Sequence, residues 1–304
     1  MGAKREDTKP HSPHLQHALK HLHESEYGGT HATNASLAGA TGLSLERAAE
    51  LAGELSGAGL AVSSAAGLQL TEAGREQARR IVRAHRIYET YLAHQTGVTS
   101  DKWHRHADHA EHRLSARDVD ALADRLGRPR YDPHGDPIPT REGTLPPRRG
   151  EPLDAASAGS NVVVTHLEDE PEGFYRRAAA LGIVAGARLH LIARTPGLLR
   201  LRIEDRECDL PLDVAGAIQV EPCAPPPPMR ALSSLRTGEA AKVVGLSPSI
   251  IGGERRRLLD LGLVPGTLVE RDFDSMLGSP TAYRVRGATI ALRKEQSDRI
   301  FVEA

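Results

Sequence analysis

The spacing of apolar positions changes partway along the chain. Up to about residue 126 they recur every three or four residues. That period predicts helices over Pro13–Ser25, Asn34–Thr41, Leu45–Ala58, Thr71–Gln95, Ser100–His112 and Ser115–Leu126, with turns at Gly28-Gly29, Gly42 and Gly59. Between the third and fourth helices, Leu60-Ala61-Val62 and Leu68-Gln69-Leu70 read as two short strands around a Ser63–Gly67 loop. Further on, the alternation shortens to every second residue, as in Arg188–Ile192 and Thr281–Arg286. Two Pro- and Gly-rich stretches, Pro137–Gly159 and Glu221–Arg230, punctuate the pattern, and the second (EPCAPPPPMR) reads as an extended, semi-rigid spacer.

The strand-rich part repeats itself. RRAAALGIVAG starts at Arg176 and RRLLDLGLVPG at Arg256, so Leu181/Leu261, Gly182/Gly262, Val184/Val264 and Gly186/Gly266 correspond at a constant offset of 80. The expected fold class is therefore α+β and multidomain. A helical head ends near residue 140, and two copies of one small β-rich module follow over 160–222 and 230–304. Within the head, the order helix, turn, helix, two strands, long helix is that of a winged helix-turn-helix, placed over 1–75, with a helical region over 76–140.

Charge sharpens the question of what such a head meets. The formal net charge is -1, so no overall basic field draws in nucleic acid and any such contact must be local. From His14 to Arg75 six acids (Glu24, Glu26, Glu46, Glu50, Glu54, Glu72) face three bases (Lys20, Arg47, Arg75), and the wing tip carries no Lys or Arg. Acidic groups repel phosphates. A winged helix used for packing or dimer contacts therefore stands beside one that reads DNA. Cys208 and Cys223 have no CxxC spacing and read as reduced thiols. The charged N-terminus has no apolar core of signal-peptide length and no apolar run is long enough to span a bilayer, so a cytoplasmic protein without a membrane partner is expected.

The most unusual stretch is His104–His112, HRHADHAEH. At ~100° per residue, His104, Asp108, Glu111 and His112 fall within about 100° of arc, while His106 and His109 point elsewhere. In the preceding helix His85 lies in line with Ile81, Tyr88 and Leu92, and Glu89 is one turn beyond it. His85, Glu89 and His104 make one nitrogen- and oxygen-rich set across facing helices; Asp108, Glu111 and His112 make a second. His14, His17 and His21 share a face of the first helix, and either His14 or His17 could complete the second set. Such thiol-free donors suit Mn(II), Fe(II), Zn(II) or Co(II). No acid–base pair or nucleophile triad stands out, so no enzymatic activity is expected.

With LTEAGREQARRIVRAHRIYETYL, WHRHADHAEHRLS and DPHGDPIP (Asp132–Pro139), the head resembles the DtxR/MntR family, the diphtheria-toxin-repressor-type metalloregulators. The resemblance implies one metal site at His85, Glu89 and His104 and a second at Asp108, Glu111 and His112, with His14 where the family places a further ligand. It also makes 76–140 a metal-binding and dimerisation domain. The two later modules resemble FeoA-like SH3-type barrels. In longer family members such a barrel lends an acidic ligand to the first site, and Glu172 is the nearest candidate here, with Glu168 and Glu170 competing. At the start of the reading helix Ser44 matches the family and Arg47 is the basic residue available for DNA, but Glu46 stands where a proline is usual and Glu50 at a polar-contact position.

The resemblance implies a homodimeric, Mn(II)- or Fe(II)-dependent transcriptional repressor that binds a double-stranded operator when metal is bound. The alternative is a metal-sensing or metal-buffering adaptor that no longer reads DNA and acts on a transporter or another protein through its FeoA-like modules, where Arg255, Arg256 and Arg257 are compatible with a protein-facing patch.

Overall fold

The structure is a computed structural model, described over residues 12–168, 172–204, 206–275 and 279–304. The chain forms two compact units. One comprises the described residues of Met1–Thr90 with His104–Asp132 and Pro137–Pro146; the other comprises Tyr91–Trp103, Pro133–Asp136 and Pro147–Ala304.

The first unit begins as a winged helix. Helix α1 (Pro13–Tyr27) starts on a Ser12 cap with proline in its first turn, and α2 (Asn34–Thr41) opens with a reciprocal Thr33/Ser36 capping box. Helix α3 (Leu45–Gly57) is capped by the Ser44 hydroxyl, which accepts from Arg47 N at 3.2 Å. Strands β1 (Ala61–Ser64) and β2 (Gly67–Leu70) pair antiparallel, Ala61 opposite Leu70 and Ser64 opposite Gly67. The pairing runs into the expected Ser63–Gly67 loop and leaves a tip of Ala65 and Ala66 alone. Leu19, Leu22, Leu37, Leu51, Leu55, Leu60 and Leu70 fill the core.

Helix α4 (Glu72–Gln95) follows directly. Its first turn crosses Leu60 so closely that a Cβ on Gly74 would lie 1.9 Å from the Leu60 carbonyl oxygen, so only glycine fits there. Helix α5 (Trp103–Glu111) starts three residues later than its apolar pattern predicts, because Ser100–Lys102 form a turn of 3-10 helix, and it ends one residue before His112. Helix α6 (Ala116–Arg125) opens with a Ser115/Asp118 capping box and packs Val119 and Ala123 against Ala84, Ile87 and Ile138.

In the second unit the sequence repeat becomes two equivalent six-stranded sheets. The first contains β3 (Glu151–Pro152), β4 (Asn161–Leu167), β5 (Arg188–Thr195), β6 (Leu198–Ile203), β7 (Arg206–Pro211) and β8 (Ile218–Pro222), with α7 (Glu172–Ala180) and α8 (Leu212–Ala215). The second contains β9 (Met229–Ala231), β10 (Ala240–Leu246), β11 (Leu268–Asp274), β12 (Thr281–Val285), β13 (Ala288–Leu292) and β14 (Ile300–Glu303), with α9 (Gly252–Asp260) and α10 (Lys294–Ser297). Their strand orders, β3-β8-β4-β5-β6-β7 and β9-β14-β10-β11-β12-β13, superimpose element for element. Gly186 and Gly266, at φ 86° and 83°, each take a left-handed turn and donate to the preceding strand, to Val164 O and Val243 O, both at 2.8 Å. The first module begins earlier than its linker composition indicates: β3 pairs with β8 and Leu153 is fully buried, so residues 151–159 belong to the barrel.

Candidate metal centre

Three helices of the first unit converge on one polar cluster. Helix α4 supplies His85 and Glu89, both buried beside the apolar face that carries Ile87. Helix α5 supplies His104, Asp108 and Glu111, with His112 just beyond its end. Helix α1 supplies His17, Lys20 and Gln16.

His85 is the hub. Its Nε2 lies 3.1 Å from Glu89 Oε1 and its Nδ1 lies 2.6 Å from Glu111 Oε2 and 3.4 Å from Asp108 Oδ1. His104 stacks edge-on to it at 4.8 Å, with Nδ1 3.5 Å from Glu89 Oε1 and Nε2 3.4 Å from Asp108 Oδ2. Glu89 Oε1 thus lies within 3.5 Å of both His85 and His104, but the residue whose ligand atom converges with theirs is Asp108. Asp108 does not stay with Glu111 and His112: it is one helical turn from His104 and turns toward His104 and His85, close enough for all three to offer atoms to one ion. Glu111 and His112 instead face α1. His17 Nε2 lies 3.6 Å from Glu111 Oε1 and 3.2 Å from His112 Nε2, and these three residues form a second convergent set.

His14 is not part of it. One turn before His17 on α1, it is exposed, while His17 is half-buried against His112. Of the two candidates on that face, the packing selects His17. Glu172 opens α7 but its side chain lies outside the described residues, as does the whole of Glu170; Glu168 is exposed. His106 and His109 are exposed, and His109 Nδ1 lies 2.8 Å from the Arg105 carbonyl within its own helix.

The electrostatics favour the metal-binding forms of His17, Asp108, Glu111 and His112, whereas burial and the Lys20 ammonium are outweighed at His85 by Glu89 and Glu111, which hold that imidazole above the ordinary histidine range. Burial, with the Lys20 ammonium adding to it, pushes His17 below the ordinary histidine range. Burial does the same to His112. Both imidazoles are then neutral near pH 7, with a lone pair to offer. Gln16 Oε1, 2.7 Å from His112 Nδ1, accepts that nitrogen's proton and leaves Nε2 toward His17. Burial alone would raise Glu111, but its bond with His85 and the Lys20 ammonium hold the carboxyl below the ordinary glutamate range. Asp108 is likewise held down to about 2, Lys20 overcoming the burial. Glu111 Oε1 is fully buried and accepts no hydrogen bond from any described residue. A buried carboxylate oxygen in that state costs free energy unless a cation meets it. An oxygen so placed, between two neutral imidazoles, fits a divalent ion, and the thiol-free set suits Mn(II), Fe(II), Co(II) or Zn(II).

Sequence reasoning missed Lys20 and Gln16. Lys20 lies three residues from His17 on one helix face, which is a detectable signal, but nothing in the sequence shows that this face meets α4 and α5. The reading helix is more self-contained than expected. Arg47 bonds Glu50 at 2.7 Å and Glu54 at 3.0 Å, so both ends of its guanidinium are engaged within α3, and the Ser44 hydroxyl is engaged as the cap. Around them the exposed residues include Leu45, Glu46, Ala49 and Gly53.

A second positive group is buried nearby. Arg86, on α4, donates to Glu24 of α1 and to the Pro137 carbonyl, both at 2.6 Å, and faces Asp132 at 3.9 Å. It seats α1, the carrier of His17 and Lys20, against α4.

A winged helix continuous with a buried imidazole–carboxylate centre defines a class, the winged-helix metalloregulators, and the comparisons with known proteins agree. Residues 71–140 match the family described as "Iron dependent repressor, metal binding and dimerisation domain", and residues 151–222 and 230–304 each match the FeoA domain. The iron-dependent repressor IdeR of Mycobacterium leprae is 30% identical over 171 residues, spanning 51% of this chain and 73% of that protein. A solved manganese-dependent transcriptional repressor in complex with manganese is 31% identical, with a TM-score of 0.61, covering 68% of this chain and 100% of that one. A "Probable metal transport system membrane protein" of Chlamydia trachomatis is 39% identical over 72 residues, which span only 16% of its length. The chain belongs to the iron-dependent repressor family. Among the described residues no helix is long and apolar enough to cross a membrane.

Proposed function

We propose that the protein is a divalent-metal-dependent transcriptional repressor, acting as a homodimer on metal-homeostasis genes, with Mn(II) or Fe(II) as its effector. The observation that carries the sensing half is the Glu111 Oε1 oxygen, buried and without a hydrogen-bond donor, facing His17 and His112. His17 comes from the first helix of the winged head, and Glu111 and His112 from the helix that follows α4. A bound ion supplies the charge that draws these donors together. The residues then hold α1, and with it the head, in one orientation relative to α5. Metal binding therefore selects among head orientations, and the selected one fits two half-sites about one helical turn apart. We read the centre as a sensor and not a catalyst.

The test is fluorescence anisotropy of duplex DNA from upstream of metal-transport genes, with and without Mn(II) or Fe(II), at stated salt. A metal-dependent, salt-sensitive gain in binding is expected. Absence of DNA binding under every metal, with metal titration intact, would sink the repressor. The engagement of Arg47 by Glu50 and Glu54 favours a second reading, a metal-sensing adaptor that acts on another protein through its FeoA modules, and the same measurement separates the two.

A further inference from the structure

The centre already contains a cation. Lys20 extends from α1 so that Nζ lies 2.7 Å from Asp108 Oδ1, 3.3 Å from His85 Nδ1 and 3.8 Å from Glu111 Oε2. Two of the three residues that converge as His85, His104 and Asp108 are thus in direct contact with an ammonium, which engages Asp108 Oδ1 and His85 Nδ1. No described contact ties Lys20 to the ligand atoms of the other set, His17 Nε2, Glu111 Oε1 and His112 Nε2; the ammonium meets only the opposite oxygen of Glu111. We propose that Lys20 is a tethered cation that closes the His85–His104–Asp108 half to a divalent ion, so that the centre takes one ion per chain, at His17, Glu111 and His112. This rests on the metal-sensing function proposed above.

Charge balance supports the same count. Three carboxylates, Glu89, Asp108 and Glu111, surround the cluster, and the Lys20 ammonium offsets one of their three negative charges, leaving two. One divalent ion neutralises them. A second, with Lys20 in place, would leave the buried centre doubly positive, and buried uncompensated charge is strongly unfavourable. Lys20 accordingly does for one half of the centre what a metal does for the other. It pairs the carboxylates without an effector, and it does so from α1.

The count is tested directly. Equilibrium dialysis with Mn(II) should find one ion on the wild-type chain and on Lys20→Arg, and two on Lys20→Gln. Low-temperature electron paramagnetic resonance should show an isolated Mn(II) signal for the first two proteins and an exchange-coupled pair for Lys20→Gln. Should Lys20→Gln not fold, His104→Ala and His112→Ala carry the test. The single ion should be held within about twofold of wild type by His104→Ala and weakened by about tenfold or more by His112→Ala. Two ions on the wild type would overturn the inference and leave the metal-sensing function standing; no ion on either wild type or Lys20→Gln would overturn both. One ion on Lys20→Gln, two on Lys20→Arg, or equal losses from the two histidine variants would each overturn the inference alone.

Discussion

The state of Arg47 decides how much of the reading helix is available to DNA, and it can be changed without touching the guanidinium. In the double variant Glu50→Gln/Glu54→Gln both carboxylates that engage Arg47, at 2.7 and 3.0 Å, lose their charge while keeping their length. All three side chains are substantially exposed, so the fold should be unaffected. A released guanidinium adds one phosphate contact per head, or two per dimer, and each contact steepens the dependence of log K on log salt by about 0.9. The slope should therefore become more negative by about 1.8, and a fourfold drop in salt should favour the variant over wild type by about tenfold. Because this term is independent of sequence, any duplex of operator length serves, titrated by fluorescence anisotropy against metal-loaded protein between about 50 and 200 mM salt. Arg47→Ala in the otherwise natural chain should leave the slope unchanged, since a guanidinium already paired with carboxylates releases no counterions. If the double variant and wild type have the same slope, Arg47 does not face phosphate even when free. The repressor reading would then lose its only basic contact on α3, and the adaptor reading would gain.

Three further outcomes follow from the first unit. Arg86→Met removes the guanidinium that faces Asp132 and bonds Glu24 and the Pro137 carbonyl, leaving a carboxylate that is 2% exposed without that charge. It should cost about 3–5 kcal/mol, read as a fall in Tm of about 10 °C, whereas a loss under 1 kcal/mol would show that Arg86 does not seat α1 on α4. His112→Ala and Glu111→Ala should each weaken Mn(II) binding by calorimetry by about tenfold or more, whereas His109→Ala and His14→Ala should not; equal losses across the four would contradict the facing of α5 and α1. Burial, aided by Arg86 and Arg79, lowers His23 below its ordinary value of 6.5, so the folded state binds protons less readily than the unfolded one. The stability from keeping His23 neutral is fully present above pH 6.5 and is lost as pH falls from 6.5 through the folded value. His23→Phe should flatten metal-free stability against pH in that window, and an unchanged slope in chemical denaturation would refute the assignment.

Much of the fold was legible because its elements are locally specified. Helices α1, α2, α3 and α6 begin beside the capping residues Ser12, Thr33, Ser44 and Ser115, within one residue of the starts their apolar period predicts, and the offset of 80 between Gly186 and Gly266 extends into two sheets of identical strand order. The errors fell where a boundary depended on distant partners. Residues 151–159 read as linker by composition, yet β3 is held by β8, some 70 residues later.

For the site, the sequence by itself determined which residues of each helix share a face. His104, Asp108 and Glu111 on α5, and His85 with Glu89 on α4, follow from a fixed turn of 3.6 residues and need no partner to be read. Only the tertiary structure decided which faces meet. It brought in His17 and not His14, moved Asp108 to the side of His85 and His104, set Gln16 behind His112, and carried Lys20 to His85 across a separation of 65 residues. The rotation of α1 about its own axis is fixed by the burial of Ala18, Leu19 and Leu22 in the winged-helix core and by the Glu24–Arg86 pair, and no local period encodes that rotation. The donors are therefore a property of the helices, while the division of the centre between a metal half and a lysine half is a property of their packing.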